Sequence, residues 1–273
     1  MKKFLSLLLT LCLVTSLCAC QAHADPGTVS TPAGVTQPTP DNNPPAADPD
    51  AGTTADPAVD AQPKVIRLAE SFAYPSLDVH ADYYGWYTSI YGISETLFRV
   101  ADDLSIQPLL AKDYSVSDDR KTWTIQLADA KFSNGNALTA DMVCRNFMRL
   151  SEVNERFAYL KDFSFGTDGD KTLTITTPEI YPTMLSDLSA PECGIMDLDG
   201  TEDFNNAPVC TGPFTVSSFE PEGTVEVVKN ASYWNGSVKL DGATFYYMQD
   251  DDTKLNAMQE KDIDGYTSVT AAA

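Results

Sequence analysis

The sequence predicts a mixed α/β or α+β body, and two kinds of periodicity support this fold class. The segments "KTWTIQL" (121–127) and "KTLTITT" (171–177) alternate apolar and polar residues, as half-buried strands do. Between them, "FSNGNALTADMVCRNFMRL" joins an Asn-Gly turn to Val143, Phe147 and Leu150 at helical spacing. The sequence has neither a strict strand–helix–strand order nor a repeat of solenoid length, so both classes remain open at this point.

The amino terminus predicts a secretory signal over residues 1–19. Two lysines precede the apolar run "FLSLLLTLCLVTSL", which is too short to span a bilayer as a mature helix. The run ends in "LCAC", which resembles a bacterial lipobox with Cys20 as the acylated residue, so a palmitate-type chain would anchor the protein to the membrane. Ordinary cleavage after Ala24 is the alternative. In the favoured case the protein faces the extracellular or periplasmic side.

Residues 20–63 predict a disordered tether. Residues 21–63 hold nine of the seventeen prolines and six aspartates, without a lysine, an arginine or an aromatic residue. Such a composition buries too little apolar surface to offset the entropy of ordering. We therefore expect this extended tether to hold the folded body away from the lipid surface.

The charge balance excludes two classes of partner. The chain has 39 acidic and 18 basic residues, for a net charge of −21. Nucleic acid and anionic lipid surfaces repel such a protein. We expect no nucleic-acid partner, and membrane contact only through the lipid anchor.

Local signals place further elements along the body. "VIRLA" predicts the first strand, Thr139 is a candidate N-cap, and "DDTKLNAMQEKDID" predicts a helix that begins at the aspartates. The stretch "VCTGPFTVSSFEPEGTVEVVKNASYWNG" (209–236) predicts a β-hairpin whose Tyr233 and Trp234 cap packs on the sheet.

The cysteines and the histidine give little indication of catalysis or of metal binding. Cys193 and Cys210 can form a disulfide, but three thiols in the body, with Cys144 the third, leave one unpaired. The body holds a single histidine, His80, so a serine–histidine–aspartate triad or a multi-histidine zinc site would be hard to assemble. We expect no cofactor, no metal cluster and no enzymatic activity.

Four segments, in order, resemble the peptide/nickel group (family 5) of bacterial extracellular solute-binding proteins. They are "ETLFRVADDLSIQPLLAKDYSVSDDRKTWTIQL", "AKFSNGNALTADMV", "CTGPFTVSSFEPEGTVEVVKNASYWNG" and "LNAMQEKDID". Each match is weak by itself, but the family's order is kept across roughly residues 65–266. Cys210 and Lys261 depart from the pattern, since the family has glycine at both positions.

The resemblance implies a periplasmic-binding-protein-like fold of the type II, Venus-flytrap kind. Residues 64–266 would form its first lobe with an appended subdomain, and 267–273 a tail. The family's second lobe follows this point, so we expect a chain truncated after the first lobe; the alternative is that a partner chain supplies the rest.

The resemblance also implies function. The protein would capture a solute, most readily an oligopeptide, and deliver it to the permease subunits of an ABC importer. Nickel or another small solute, and a peptide-sensing or adhesive role without import, are the alternatives, and a secreted hydrolase is disfavoured. His80 would be a metal ligand in the nickel branch or else an inert surface residue.

The expected ligand contacts lie in "SLDVHADYYGWYTSIYG" (76–92), which follows the first strand. Cleft residues in such folds follow strand ends, and aromatic rings give wide contact at low entropic cost. We select Tyr83 and Trp86 first, then Tyr84 and Tyr87. The alternative is that these rings pack the helix onto the sheet.

Overall fold

The computed structural model describes residues 62–267. The predicted signal, Cys20 and all but the last residues of the predicted tether lie outside the described residues, as does most of the tail. The strands are β1 (Val65–Glu70), β2 (Phe98–Val100), β3 (Ile106–Pro108), β4 (Ala111–Val116), β5 (Thr122–Leu127), β6 (Ser164–Asp168), β7 (Thr172–Thr176), β8 (Phe214–Phe219), β9 (Val225–Lys229), β10 (Gly242–Tyr247) and β11 (Gly265–Tyr266). The helices are α1 (Tyr84–Ile90), α2 (Ala140–Val153), α3 (Met184–Asp187) and α4 (Asp251–Gln259), with 3-10 helices at Glu155–Asp162 and Pro191–Cys193. Within this part of the chain, none of the helices has the length and hydropathy needed to cross a membrane.

The larger sheet has the strand order β11-β1-β10-β9-β8. β1 runs parallel to both of its neighbours, with Val65 opposite Gly242 and Leu68 opposite Gly265. The β10–β9 and β9–β8 pairs are antiparallel. The predicted first strand is therefore an interior strand of a mixed sheet, flanked by residues from the far end of the described chain.

The smaller sheet is antiparallel, with the order β4-β5-β7-β6. The two alternating segments of the sequence are neighbours in it: Trp123 lies opposite Ile175, and Ile125 opposite Leu173. Their apolar faces share a core cluster with α2, whose Phe147 is buried. The strands predicted at 121–127 and 171–177 are thus confirmed. A two-stranded β2–β3 ribbon lies before this sheet in the chain.

The predicted helix starts and the hairpin are also confirmed. The Thr139 side chain accepts a hydrogen bond from the Met142 amide, and the Asp250 side chain accepts one from the Thr253 amide, so each caps its helix. β8 and β9 form the hairpin, with a bulge between Val216 and Ser218. Trp234 packs against the core cluster of the smaller sheet, so the aromatic cap joins the hairpin to the other half of the body.

The possible Cys193–Cys210 disulfide is not formed. Cys144, Cys193 and Cys210 are all free and buried. Cys193 lies in the core cluster of the smaller sheet, whereas Cys210 lies in that of the larger sheet and pairs with Met196 as a β-bridge.

Lys261, where the family has glycine, keeps the backbone conformation that favours glycine. Its φ of 63° is left-handed, and its carbonyl accepts a hydrogen bond from Arg67.

Candidate functional site

A buried polar network fixes the loop between β1 and α1, where the sequence places the ligand contacts. Arg149 of α2 holds Asp78 with two hydrogen bonds of 2.9 and 2.7 Å between guanidinium nitrogens and carboxylate oxygens. Asn154 donates hydrogen bonds to the carbonyls of His80 and Asp82, both at 3.0 Å. The end of α2 therefore sets the path of this loop into α1.

His80 is part of this network, so its expected position on the surface is wrong. Its side chain is 1% exposed. Nε2 lies 3.1 Å from the Gly194 carbonyl and Nδ1 lies 3.0 Å from Arg149 Nη1, which assigns the proton to Nε2. Both ring nitrogens are engaged, and neither is available to a metal. Burial, and secondarily the Arg149 charge, lowers the pKa of His80 to about 4.

This depressed pKa predicts an acid-dependent loss of stability. Between pH 6.5 and about 4 the unfolded chain binds a proton at His80 that the folded chain does not, so the free energy of unfolding falls as the pH falls through this window. The full effect is of the order of 3 kcal/mol. Urea unfolding of wild type and His80→Gln from pH 7.5 to 4.0 measures it: the stability difference between them should narrow as the pH falls. A difference independent of pH would contradict the assignment.

α1 packs closely against the 3-10 helix at Pro191–Cys193. A Cβ on Gly85 would lie 2.7 Å from the backbone nitrogen and Cα of Glu192, so only glycine permits this contact. Two aromatic side chains of this segment are exposed: Tyr83, just before α1, at 58%, and Trp86 at 51%. The two residues placed first in the sequence analysis are therefore both accessible.

Tyr84 and Tyr87 are arranged differently. Both are half-buried, and Tyr87 stacks on Tyr74. The Tyr84 ring lies 6.4 Å from the same tyrosine, centroid to centroid, at 56°. Tyr87 also packs against the core cluster of the larger sheet, in agreement with the alternative that the rings pack the helix onto the sheet. We call Tyr83 and Trp86, together with Arg156 and Glu192, the α1 face.

A charged pair lies beside Tyr83. The Arg156 guanidinium carbon is 4.7 Å from the Tyr83 ring centroid, a cation–π distance. Arg156 Nη1 also lies 2.5 Å from Glu192 Oε1, and the Glu192 side chain is 1% exposed whereas that of Arg156 is 49% exposed. The sequence analysis missed both residues, because they lie in separate 3-10 helices and no local pattern joins them to position 83.

A pocket of about 490 Å³ opens on the Trp86 side of the same helix. Among its lining residues, Glu95 is 8% exposed and accepts hydrogen bonds from Tyr233 Oη (2.6 Å) and Trp234 Nε1 (2.8 Å). Burial raises the pKa of the Glu95 carboxyl, although these two donors act against the rise. The lining residues are Trp86, Ser89, Gly92, Ser94, Glu95, Thr96, Arg99, Val100, Leu109, Ser189, Pro191, Pro213 and Tyr233.

The arrangement suits binding. Exposed aromatic rings, an arginine, a buried carboxylate and several hydroxyls meet around one helix, as in a small-molecule site. Among residues 62–267, histidine, cysteine and carboxylate side chains form no group of three or more that could hold a metal ion.

Comparison with known proteins gives a family match. The family described as "Bacterial extracellular solute-binding proteins, family 5 Middle" matches residues 105–273. The nickel-binding protein NikA of Staphylococcus aureus is 31% identical over 179 residues, which are 65% of this chain and 36% of the relative. The glutathione-binding protein GsiB of Salmonella typhi is 30% identical over 173 residues, 60% of this chain and 34% of the relative.

Solved structures show the same likeness. A nickel ABC transporter structure from Bacillus halodurans superposes with a TM-score of 0.69 at 34% identity, covering 74% of this chain and 42% of that one. NikA from Staphylococcus aureus in complex with Ni(L-His)2 gives a TM-score of 0.69 at 26% identity, covering 74% and 43%. The periplasmic-binding-protein-like α/β fold is thereby confirmed. The chain spans about a third of the length of these curated relatives. It belongs to family 5 of the bacterial extracellular solute-binding proteins.

Proposed function

We propose that this protein is the solute-binding component of an ABC importer and that its solute is derived from amino acids. The observation that carries the proposal is the α1 face: two exposed aromatic side chains, Tyr83 and Trp86, flanked by the Arg156–Glu192 pair. Rings with charged groups beside them suit a ligand that has both apolar and ionised parts. In the cell, such a protein would be held at the outer side of the membrane through Cys20 and would pass the solute to permease subunits.

A short peptide is the first candidate solute. The Salmonella typhi relative, a glutathione-binding protein, supports this choice. The half-exposed Arg156 guanidinium at the α1 face suits the carboxylate end of a peptide. Import and peptide sensing use the same binding step, so this step is the first to test.

A nickel complex is the second candidate, since the Staphylococcus aureus relative is a nickel-binding protein. The only histidine of the described residues is engaged through both ring nitrogens. A nickel ion would then bring its ligands with it, as the amino acid does in the Ni(L-His)2 complex of that relative. The two candidates thus share the carboxylate groups of amino acids.

Tryptophan fluorescence of the whole chain tests the proposal. Triglycine, glutathione, nickel with two equivalents of L-histidine, and nickel chloride with and without EDTA are titrated separately. We expect a saturable change for an amino-acid-derived solute, with the solute recovered unaltered by chromatography. The change should be smaller in Trp86→Phe, because Trp86 is 51% exposed, whereas Trp123 is 9% exposed and Trp234 is half-buried with its indole N–H donated to Glu95.

Calorimetry on variants then places the site. Tyr83→Ala and Arg156→Met should each weaken binding about fivefold or more, as truncation of central aromatic and arginine contacts does. Met148→Ala, which removes an apolar side chain of similar exposure (48%) on α2, is the control and should bind as wild type. Absence of saturable binding, or consumption of the solute with time, would overturn the proposed function.

A further inference from the structure

The sequence contains two Asn-Gly dipeptides, at 134–135 and at 235–236, and the fold holds them in different ways. Asparagine is chemically labile, and the glycine after it has no Cβ to hinder the approach of its backbone nitrogen to the asparagine carboxamide. Both sites therefore share the same local chemistry. Their surroundings in the folded chain decide which of them reacts.

The first dipeptide is held by hydrogen bonds. Asn134 Nδ2 donates to Asp197 Oδ2 at 2.7 Å, and Asn134 Oδ1 accepts from the Asn136 amide at 3.0 Å. The Gly135 amide donates to the Phe132 carbonyl at 2.9 Å. Both ends of the carboxamide and the nitrogen that would attack it are thus engaged, so the fold opposes cyclisation at this site.

The second dipeptide has no such restraint on its backbone. It lies between β9 and β10, and both Asn235 and Gly236 are exposed. Within residues 62–267 the Gly236 amide has no hydrogen-bond acceptor. Gly236 has a φ of +99°, and a Cβ there would meet no heavy atom within 4 Å. The attacking nitrogen is therefore free, and the turn has room to change shape.

The Asn235 side chain is next to a hydrogen bond of the pocket beside Trp86. Tyr233 lines this pocket, and its hydroxyl donates to Glu95 Oε1 at 2.6 Å. Burial raises the pKa of the Tyr233 phenol, and the Asn235 side chain acts against this rise as a hydrogen-bond donor to the phenol oxygen. An ionised carboxylate at position 235 can only accept hydrogen bonds, so it would meet the same hydroxyl as an acceptor.

We propose that Asn235 is a site of spontaneous deamidation in the folded protein, and that the carboxylate formed there competes with Glu95 for the hydrogen of the Tyr233 hydroxyl. The unmodified carboxamide leaves that hydrogen to Glu95, whereas the product offers it a second charged acceptor. The reaction adds negative charge beside the pocket, so the charge there depends on the age of the molecule. This inference concerns a modification and does not depend on which solute binds.

The chemistry needs only water as a co-reactant. The Gly236 backbone nitrogen attacks Cγ of Asn235, so that an N–Cγ bond forms and the Cγ–Nδ2 bond breaks. Nδ2 leaves as ammonia and takes the proton of the Gly236 amide with it, which gives a succinimide. Water then opens the succinimide at Cγ to give aspartate, or at the main-chain carbonyl of residue 235 to give isoaspartate. Both products carry a carboxylate.

Peptide mapping measures both dipeptides in one sample. The full chain is kept in warm, mildly alkaline buffer, and portions are digested with trypsin and analysed by mass spectrometry; a digest at time zero corrects for deamidation during digestion. Trypsin separates the two sites into residues 132–145 and 230–239. In the folded chain we expect Asn235 to deamidate about tenfold or more faster than Asn134, because hydrogen bonds restrain the backbone and carboxamide only at the first site. In concentrated urea, which removes these restraints, the two rates should agree to within about twofold.

A double-mutant cycle tests the competition for the Tyr233 hydroxyl. Asn235→Asp reproduces the aspartate product, and we expect it to lower the urea midpoint at neutral pH. The shift should be smaller by about half or more in a Tyr233→Phe background, which has no hydroxyl to share. It should also narrow as the pH falls and the carboxylates take up protons. Asn235→Ser, which adds no charge, is the matched control and should show neither dependence.

Each result bears on one part of the inference. Equal rates at the two dipeptides in the folded chain, or a faster reaction at Asn134, would overturn the assignment of Asn235. If Asn235 reacts first but Asn235→Asp shifts the midpoint equally with and without the Tyr233 hydroxyl, deamidation stands and the competition with Glu95 is wrong. Should Asn235→Asp fail to fold, aged wild-type chain, separated by charge from fresh chain, replaces it in the urea measurement. None of these measurements uses a solute, so the proposed function stands or falls separately.

Discussion

Replacement of Arg149 by methionine is expected to lower the free energy of unfolding by about 3–5 kcal/mol, because it leaves the Asp78 carboxylate buried without its counter-ion. The Asp78 side chain is 10% exposed and that of Arg149 is 21% exposed. The arginine also contacts His80 and lies 4.4 Å from the centroid of the Phe204 ring. Urea unfolding at pH 7 measures the loss, which is a large share of the stability of an ordinary domain.

A second arginine on the same helix provides the control. Arg145 also makes two hydrogen bonds to one aspartate, at 2.7 and 2.6 Å, but Asp199 is 65% exposed in its side chain. Solvent screens such a pair, so Arg145→Met should cost about 1 kcal/mol or less. Equal losses for the two variants would show that burial does not decide the strength of the Asp78–Arg149 pair. Because the pair fixes the loop before α1, Arg149→Met should also weaken solute binding.

Gly212→Ala is expected to be the most damaging small substitution in the described body, at about 3 kcal/mol or more. A Cβ at this position would lie 2.3 Å from the Gly92 carbonyl oxygen and 2.4 Å from that of Ile93. These are backbone atoms, which cannot rotate away. They are also held in place, since the Gly212 amide donates to Ile93 at 3.0 Å and the Phe214 amide donates to Gly92 at 3.0 Å.

Comparison with Gly169→Ala separates the cost of steric overlap at Gly212 from the cost of backbone strain. Gly169 has a φ of +66°, but an alanine methyl group at this position would meet no heavy atom within 4 Å, so only backbone strain opposes the alanine. A loss of about 1 kcal/mol is expected there. Both substitutions change the entropy of the unfolded chain alike, so the difference between them reports the folded state. Similar losses would refute the close contact between Gly212 and residues 92–93.

Local periodicity was sufficient for the elements that the sequence analysis predicted correctly. Thr139 and Asp250 cap helices through hydrogen bonds that span only three residues. The strands at 121–127 and 171–177 are recognisable by alternation, because one face of each is buried. Such signals need only neighbouring residues, so they can be read without knowledge of the fold.

The features that were missed depend on contacts between distant parts of the chain. The burial of His80 is produced by α2 and by Gly194, and neither is visible from the sequence around position 80. Cys193 and Cys210 are close in sequence, yet they lie in different core clusters because the chain passes between the two sheets. The Arg156–Glu192 pair likewise exists only through tertiary packing.

The four aromatic residues predicted to contact the ligand differ in exposure. Four aromatic residues occur within five positions, so helical geometry requires that they divide between faces. Tyr83 and Trp86 are exposed, whereas Tyr84 and Tyr87 are half-buried near Tyr74. Their roles in binding stay predictions until solutes have been titrated.

The interior position of β1 governs when this body can be completed. Lys64 donates a hydrogen bond to Asp241, a residue 177 positions further along the chain, and β11 flanks β1 from still further away. A chain delivered from its amino end, by a ribosome or through a membrane pore, would hold β1 without either neighbour until β10 arrives. Parallel pairing over such separations forms slowly. Until β10 and β11 arrive, the chain would stay unfolded enough to pass through a pore. During the same period β1 would remain accessible to chaperones and proteases.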